Sequence, residues 1–281
     1  MPTKAIFPSL DGWEPTRDSL HAYCRVVGVV PRTHAKSHPK WWHISLKVKP
    51  DGLTTRRMSL PDGSTFWLKI DLVKHKVILV TSRGVAREFS ILAGIPDKEL
   101  GDQILKALAD LGLSAEYTRS KYESGQPRQY DPVFVEKYRS VLVNVNRIFK
   151  KQRASLQGER GPVQLWLHGF DLAFEWFGNH VVAYEENGEV KNYPAQLSLG
   201  FSPGESSHPK PYFYSNPWPF EKEALLDKPL PVGTRWFMER WQGSILPYSE
   251  LVGDTQAEDR LLDYARAVFE ISATTLMKAP G

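Results

Sequence analysis

Three adjacent ring-bearing residues, Trp41-Trp42-His43, begin an apolar stretch of the chain. In an extended strand, alternation would place Trp41 and His43 on one face and Trp42 on the other. An indole favours burial with a partner for its N–H group, and an imidazole can titrate, bind a metal or donate a hydrogen bond. The triplet therefore predicts either a corner of the core or one wall of a site. Residue types alone leave both open.

Other ionisable residues also lie among apolar neighbours, where a charge must be paired or hydrogen-bonded. Asp71 and Asp171 interrupt strand-like runs, and Arg139 and Arg147 interrupt a long helical stripe. An arginine fork is a natural partner for a carboxylate, so one interpretation is structural ion pairing between these aspartates and arginines, with His43 beside them. The other interpretation is a polar pocket.

The pocket hypothesis gives each residue a role. His43 would act as an acid/base or hydrogen-bond donor, Asp171 would orient it or accept a proton, and an arginine would hold a small anionic molecule. Catalysis is compatible with such a pocket but not required by it, and neither a substrate nor a cofactor follows from the sequence. No metal is assigned. The candidate ligand-binding residues are Trp42, Asp71, His75, Arg139, Arg147 and Tyr214.

An alternative hypothesis is a nucleic-acid or protein-binding module that uses the aromatic-proline stretch 212–220. The net charge of +4 comes from 36 basic and 32 acidic residues. We interpret the basic residues as mostly scattered among acids, with the densest patch at Lys150, Lys151 and Arg153 on the solvated face of a helix. A nucleic-acid partner is therefore not expected.

Two tempting motifs fail. The run Gly200-Phe201-Ser202-Pro203-Gly204 fits the G-x-S-x-G elbow of hydrolases, but Pro203 lacks the N–H that would help form an oxyanion hole, and loop-type residues follow instead of a helix. None of the eight histidines forms H-E-x-x-H or another ligand-spaced pair on one helix. The chain also lacks a phosphate-binding glycine loop, so nucleotide-dependent enzymes of that kind are excluded.

A packed fold must position these residues. The composition predicts one, since the 281 residues include nine Trp, eleven Tyr and thirteen Phe. Residues 16–29 show helical periodicity, with Cys24 on the apolar stripe as a small buried hydrophobe. Short strand-like runs separated by turn signals fill 42–91 and predict an antiparallel meander. A helix follows over 97–111, with Asp97 as its N-cap. No apolar run is long enough to span a bilayer, and we expect a cytoplasmic protein without a membrane partner.

The second half has the same order of elements. Asp131-Pro132 begins a long helix that runs to about Leu156, and a final helix begins with the capping box Thr255-x-x-Glu258. Strand-like runs lie between them at 163–167, 170–177, 196–201, 212–214, 235–238 and 243–246. The prediction is an α+β fold with two antiparallel β-meanders, each flanked by helices. It is either one domain or two halves, 1–125 and 126–281, related by an ancient duplication.

Several motifs make the chain similar to a bacterial family catalogued as domain of unknown function 5996. They include Trp41-Trp42-His43, Gly52-Leu53-Thr54-Thr55, Tyr130-Asp131-Pro132 and Phe170-Asp171-Leu172-Ala173. The resemblance covers most of the chain and implies no activity, because the family is uncharacterised. In the family pattern a tryptophan stands at Ser202 and a histidine at Gln164, which further weakens Ser202 as a nucleophile.

Overall fold

The computed structural model describes residues 6–84 and 86–277. Over these residues the chain forms five α-helices and two antiparallel sheets, which confirms the predicted α+β class. It divides into two compact units. The N-terminal unit comprises Leu10–Val143 with Gln164–Asp171, and the C-terminal unit comprises residues 6–9, Asn144–Val163 and the described residues from Leu172 onward.

The N-terminal unit contains the predicted meander between two helices. Its sheet has the order β1-β2-β4-β5-β6, and β3 pairs with β4. A further short strand, β7 (Gln164–Trp166), forms an isolated bridge to Leu46 through Leu165. The elements before β7 are α1 (Glu14–His34), β1 (Lys47–Lys49), β2 (Gly52–Thr54), β3 (Met58–Ser59), β4 (Thr65–Asp71), β5 (Lys76–Thr81), β6 (Ala86–Ser90) and α2 (Asp97–Asp110).

Helix α1 is longer than predicted at both ends. Its apolar stripe is buried as expected, and Cys24 is a buried thiol whose pKa is raised by burial. The helix continues through Pro31 to His34, and the N–H of Ala35 donates to the carbonyl of Pro31 at its end. The sequence pattern ended at residue 29 because proline usually stops a helix.

Two of the predicted helix caps, Asp97 and the Thr255-x-x-Glu258 box, are wrong for the same physical reason. Asp97 is the first residue of α2 and makes no side-chain cap, because its buried carboxylate accepts hydrogen bonds from Nε (3.0 Å) and Nη2 (2.5 Å) of Arg128. The capping box also does not form: α5 begins at Ala257, and Glu258 accepts two hydrogen bonds from Arg147. In each case a distant guanidinium pairs with the carboxylate that local spacing assigned to a cap.

The C-terminal unit contains the second sheet and its helices. The strand order in this unit is β11-β12-β10-β9-β8. Helix α3 (Pro132–Ser155) begins where Asp131-Pro132 predicted, and its residues 132–143 belong to the N-terminal unit. The later elements are β8 (Asp171–Glu186), β9 (Glu189–Ser202), β10 (Tyr212–Trp218), α4 (Lys222–Leu225), β11 (Arg235–Phe237), β12 (Gly243–Pro247) and α5 (Ala257–Leu276).

Strands β8 and β9 are much longer than predicted. Beyond an irregularity between Phe177 and Val181 they continue as an exposed hairpin to a tight Asn187-Gly188 turn, where both residues have positive φ. Backbone pairing holds this hairpin together with side-chain hydrogen bonds from Lys191 and Tyr193 to Glu186. Its residues do not alternate between apolar and polar, so no strand pattern marked them in the sequence. Ser202 ends β9 and is followed by no helix before α4, which agrees with the rejection of the hydrolase elbow.

Candidate anion-binding cleft

A basic surface lies on the outer face of the N-terminal sheet. Alternation along β1 exposes Lys47 and Lys49 while Val48 between them is buried. On β4 it places Lys69 and Trp67 on the partly exposed face. The antiparallel register aligns Lys47 with Thr54 of β2, and Thr54 with Lys69. Three strands therefore present their polar side chains in one row.

This surface forms an open cleft with a volume of about 390 Å³. Five of its nine lining residues are cationic and one is a carboxylate. The lining residues are Lys47, Lys49, Asp51, Thr54, Thr55, Arg56, Arg57, Trp67 and Lys69. A concave site of this size is typical of ligand pockets, and its charge favours an anion.

Most of the positive charge in the cleft is uncompensated. Lys69 is neutralised, because its Nζ lies 2.5 Å from Asp51 and 2.8 Å from Asp71. Among the described residues, Lys47 and Lys49 have no ion-pair partner. Burial lowers the pKa of the Lys47 ammonium, and the neighbouring Arg56 and Lys49 lower it further by repulsion. An anion bound there would relieve that repulsion.

Arg56 forms the floor of the cleft and is held by neutral groups. Its Nε donates to the carbonyl of Trp42 (2.7 Å), and its Nη2 donates to Oε1 of Gln164 (3.1 Å). The hydroxyl of Ser45 lies within hydrogen-bond distance of the same two oxygens, at 2.9 and 2.5 Å. Because both acceptors are uncharged, the guanidinium is positioned and its charge is not cancelled. The buried Nε2 of Gln164 has no hydrogen-bond partner in the described part of the chain.

Arg57, the next residue, stacks on an aromatic ring. Its guanidinium carbon lies 4.5 Å from the centre of the Trp67 ring, a cation–π contact. This contact also leaves the charge of Arg57 uncancelled. The two consecutive arginines thus both contribute uncancelled charge to the lining of the cleft.

The Trp-Trp-His triplet is not part of a strand, so the predicted alternation is wrong. Residues 41–43 form a turn before β1, and Trp41 has a left-handed φ of 57°. Its N–H donates to the carbonyl of His38 (2.9 Å), and its own carbonyl accepts from Ile44 (3.2 Å). The ring of Trp41 is 56% exposed and stacks on His43. These local hydrogen bonds hold a backbone conformation that is unusual for a non-glycine residue.

His43 is buried beneath Trp41 and supports the turn. Its Nδ1 accepts a hydrogen bond from the backbone N–H of His38 (3.2 Å), which places the proton of the neutral ring on Nε2. Burial lowers the pKa of His43, and His38, Arg32 and Arg56 lower it further. His43 is therefore neutral at pH 7. Its electrostatic interaction with Arg56 shows that it lies next to the cationic cleft.

Two more of the predicted site residues lie next to the cleft. Asp71 pairs with Lys69 and also accepts from the backbone of Val73 and Lys74. Arg139 donates to both oxygens of Glu136 and to the carbonyl of Pro50, which precedes Asp51. The ion pair predicted between Asp71 and a helix arginine is therefore wrong, because alternation along β4 puts Lys69, two residues away, on the same side of the strand.

The remaining predicted site residues have other surroundings. The Nδ1 of His75 lies 2.9 Å from the hydroxyl of Tyr130. Burial raises the pKa of the Tyr138 hydroxyl, and the charge of the nearby Asp171 raises it further. Arg147 belongs to the C-terminal unit and pairs with Glu258.

Tyr214, also in the C-terminal unit, packs against Tyr212 and Trp241. Tyr212 and Phe213 are buried, so the aromatic-proline stretch does not present these rings to a partner.

The comparisons with known proteins identify one family. A family model described as a family of unknown function, DUF5996, matches residues 7–278. The chain belongs to this family. The match confirms the resemblance stated above and spans both units of this DUF5996 protein. No curated protein and no solved structure matches the chain.

The cleft residues of this DUF5996 protein were missed because charge was considered over the whole chain. Residues 32–57 contain seven Lys and Arg and only one acidic residue, a net charge of +6. The rest of the chain has 29 basic and 31 acidic residues and is therefore net −2. The description of the basic residues as scattered is wrong. A charge count over a sliding window would have found this segment.

Two other kinds of feature are not found among the described residues. Within 6–84 and 86–277, no group of three His, Cys, Asp or Glu side chains is arranged to hold a metal ion. No helix in the same ranges is both long and apolar enough to cross a membrane.

Proposed function

We propose that this DUF5996 protein binds an anionic ligand in the cleft over β1, β2 and β4. The observation that carries the proposal is the charge of the lining, in which five cationic side chains face a single carboxylate. That carboxylate, Asp51, is already bonded to Lys69. A ligand with negative charge is the simplest partner that compensates Lys47, Lys49, Arg56 and Arg57.

The surroundings of Arg56 support a binding role over a purely structural one. Arg128 and Arg147 of this chain pair with carboxylates, which cancel their charge. Arg56 is instead fixed by two carbonyl oxygens, so its orientation is set before any ligand arrives. Such preorganisation lowers the entropic cost of binding an anion.

In this proposal His43 has a positioning role. Its neutral ring lies between Trp41 and the backbone of His38 and holds the turn from which the Trp42 carbonyl reaches Arg56. We assign the fixed geometry of Arg56 to this turn, and the charge that recognises the ligand to the lysines and arginines.

Isothermal titration calorimetry with pyrophosphate and citrate tests the proposal. The protein should bind these anions more weakly as salt is raised, because exposed charge interactions are screened. The double variant Lys47→Gln, Lys49→Gln should bind roughly tenfold more weakly, since each exposed charge pair contributes up to about 1 kcal/mol.

A matched control removes two lysines outside the cleft, Lys106→Gln with Lys150→Gln, and lowers the net charge equally. It should leave the affinity unchanged. Equal weakening by both double variants would assign binding to net charge alone and contradict a site in the cleft. Absence of binding to the unmodified protein would also contradict it.

A further inference from the structure

We propose that the anion is the phosphate backbone of a single-stranded nucleic acid, with one base stacked on Trp41. This inference rests on the anion-binding function proposed above and names its ligand class. It is carried by three features of the N-terminal unit: the extent of the positive charge, the arrangement of the lysines on the sheet, and an exposed tryptophan next to them.

The positive charge extends beyond the cleft into the Trp-Trp-His turn. The segment 32–57 has a net charge of +6 and includes the turn and the cleft floor. Arg32 lies 5.9 Å from the centre of the Trp41 ring, and both Arg32 and Arg56 interact electrostatically with His43. A small anion needs only a few of these charges, whereas a polymer of phosphates uses a continuous basic track.

The cations of the cleft are spread over an open sheet surface. Lys47 and Lys49 are alternate residues of one strand and lie about 6.6 Å apart along it. Lys69 lies two strand spacings, about 9.5 Å, from Lys47, but it is already paired with Asp51 and Asp71, so Lys47 and Lys49 are the available cations of this row. Side chains at these separations can contact different phosphates of one backbone. A site for a single phosphate needs all of its donors at one point, whereas a chain of phosphates can use cations at separate positions along a strand.

Trp41 supplies the aromatic surface that distinguishes a nucleic acid from a plain polyanion. Its ring is 56% exposed although a tryptophan favours burial, and hydrogen bonds to His38 and from Ile44 hold its left-handed backbone. Stacking on His43 fixes the ring from one side. Bases stack on such aromatic platforms with little sequence preference. The bases of a duplex are hidden in its own stack, so the platform favours a single strand.

Fluorescence anisotropy with a labelled 12-nucleotide oligothymidylate tests this inference, with a duplex of the same length and inorganic polyphosphate of similar charge as competitors. Trp41→Ala should weaken oligonucleotide binding about fivefold or more and polyphosphate binding much less, because the turn that positions Arg56 keeps the hydrogen bond between His38 and His43. Trp41→Phe keeps an aromatic ring and should retain most of the affinity. The double variant Lys47→Gln, Lys49→Gln should weaken the binding of both the oligonucleotide and polyphosphate. It should also reduce the slope of log affinity against log salt concentration by about 1.4.

The outcomes separate this inference from the proposed function. If polyphosphate competes as well as the unlabelled oligonucleotide and Trp41→Ala changes neither, the anion cleft stands and the nucleic-acid inference is overturned. If the duplex binds as tightly as the single strand, the assignment to a single strand is overturned. If the protein binds neither the oligonucleotide nor polyphosphate, both proposals fail.

Discussion

Replacing Arg56 by methionine should destabilise the N-terminal unit by about 2 kcal/mol. The substitution removes the donors to the Trp42 carbonyl and to Oε1 of Gln164. The hydroxyl of Ser45 reaches both oxygens, but it has one proton and can satisfy only one of them fully. One acceptor is therefore left without a good donor. An unsatisfied buried polar group costs about 1–3 kcal/mol, and hydrogen bonds to a charged group contribute about 1.5–3 kcal/mol each.

The assay is urea unfolding, combined with hydrogen exchange of peptides that cover residues 41–56 and 164, because two units need not unfold together. Arg57→Met is the matched control. Arg57 contacts the Trp67 ring at the surface, and its loss should cost less than about 1 kcal/mol. Arg56→Lys should fall between the two, since a lysine keeps the charge but not the planar fork. If Arg56→Met is no more destabilising than Arg57→Met, the hydrogen-bond network does not fix Arg56 and the reasoning is refuted.

Two further predictions concern groups outside the cleft. Asp97→Asn should lower the free energy of unfolding by about 2 kcal/mol. This is less than the usual 3–5 kcal/mol for breaking a buried pair, because 26% of the Arg128 side chain is exposed to water. Urea unfolding of this variant and of the exposed control Asp227→Asn checks the prediction, and equal unfolding midpoints would contradict it. Burial, with repulsion from a nearby arginine, lowers the pKa of His21 to about 4, while its ring nitrogen bonds the carbonyl of Leu167. As the pH falls, the unfolded state therefore binds a proton on His21 at a higher pH than the folded state does. Stability that is fully present above pH 6.5 is lost as the pH falls toward 4, by up to about 3 kcal/mol. The pH dependence of unfolding should flatten in His21→Gln, and an unchanged slope in that variant would count against the assignment.

Local sequence pattern was sufficient for the regular elements. The 3.6-residue stripe of α1 and the Asp131-Pro132 start of α3 act over a few residues, and the structure places both helices where these signals predicted them or within a few residues. The turn signals over 42–91 likewise agree with the meander. The exposed hairpin of β8 and β9 was missed because its residues, among them Val181, Val182 and Tyr184, do not alternate between apolar and polar.

Side-chain partners followed less well from the sequence. Asp97 and Glu258 occupy good capping positions, yet each pairs with an arginine 31 or 111 residues away. Charge–charge pairing in a partly buried site outweighs a single cap, and only the tertiary fold decides which guanidinium arrives. Asp71 is the opposite case, because its partner Lys69 lies two residues away on β4 and is set by local alternation.

The sequence by itself determined that the chain is α+β, which faces of its helices are buried, and that residues 32–57 carry more positive charge than the whole chain. Only the tertiary structure decided that this charge forms a cleft. The pleat of β1 turns Lys47 and Lys49 to one face, antiparallel register adds Lys69, and β7 brings Gln164 beneath Arg56. Strand alternation is a local property, but register and the approach of a distant strand depend on the packing of the whole unit.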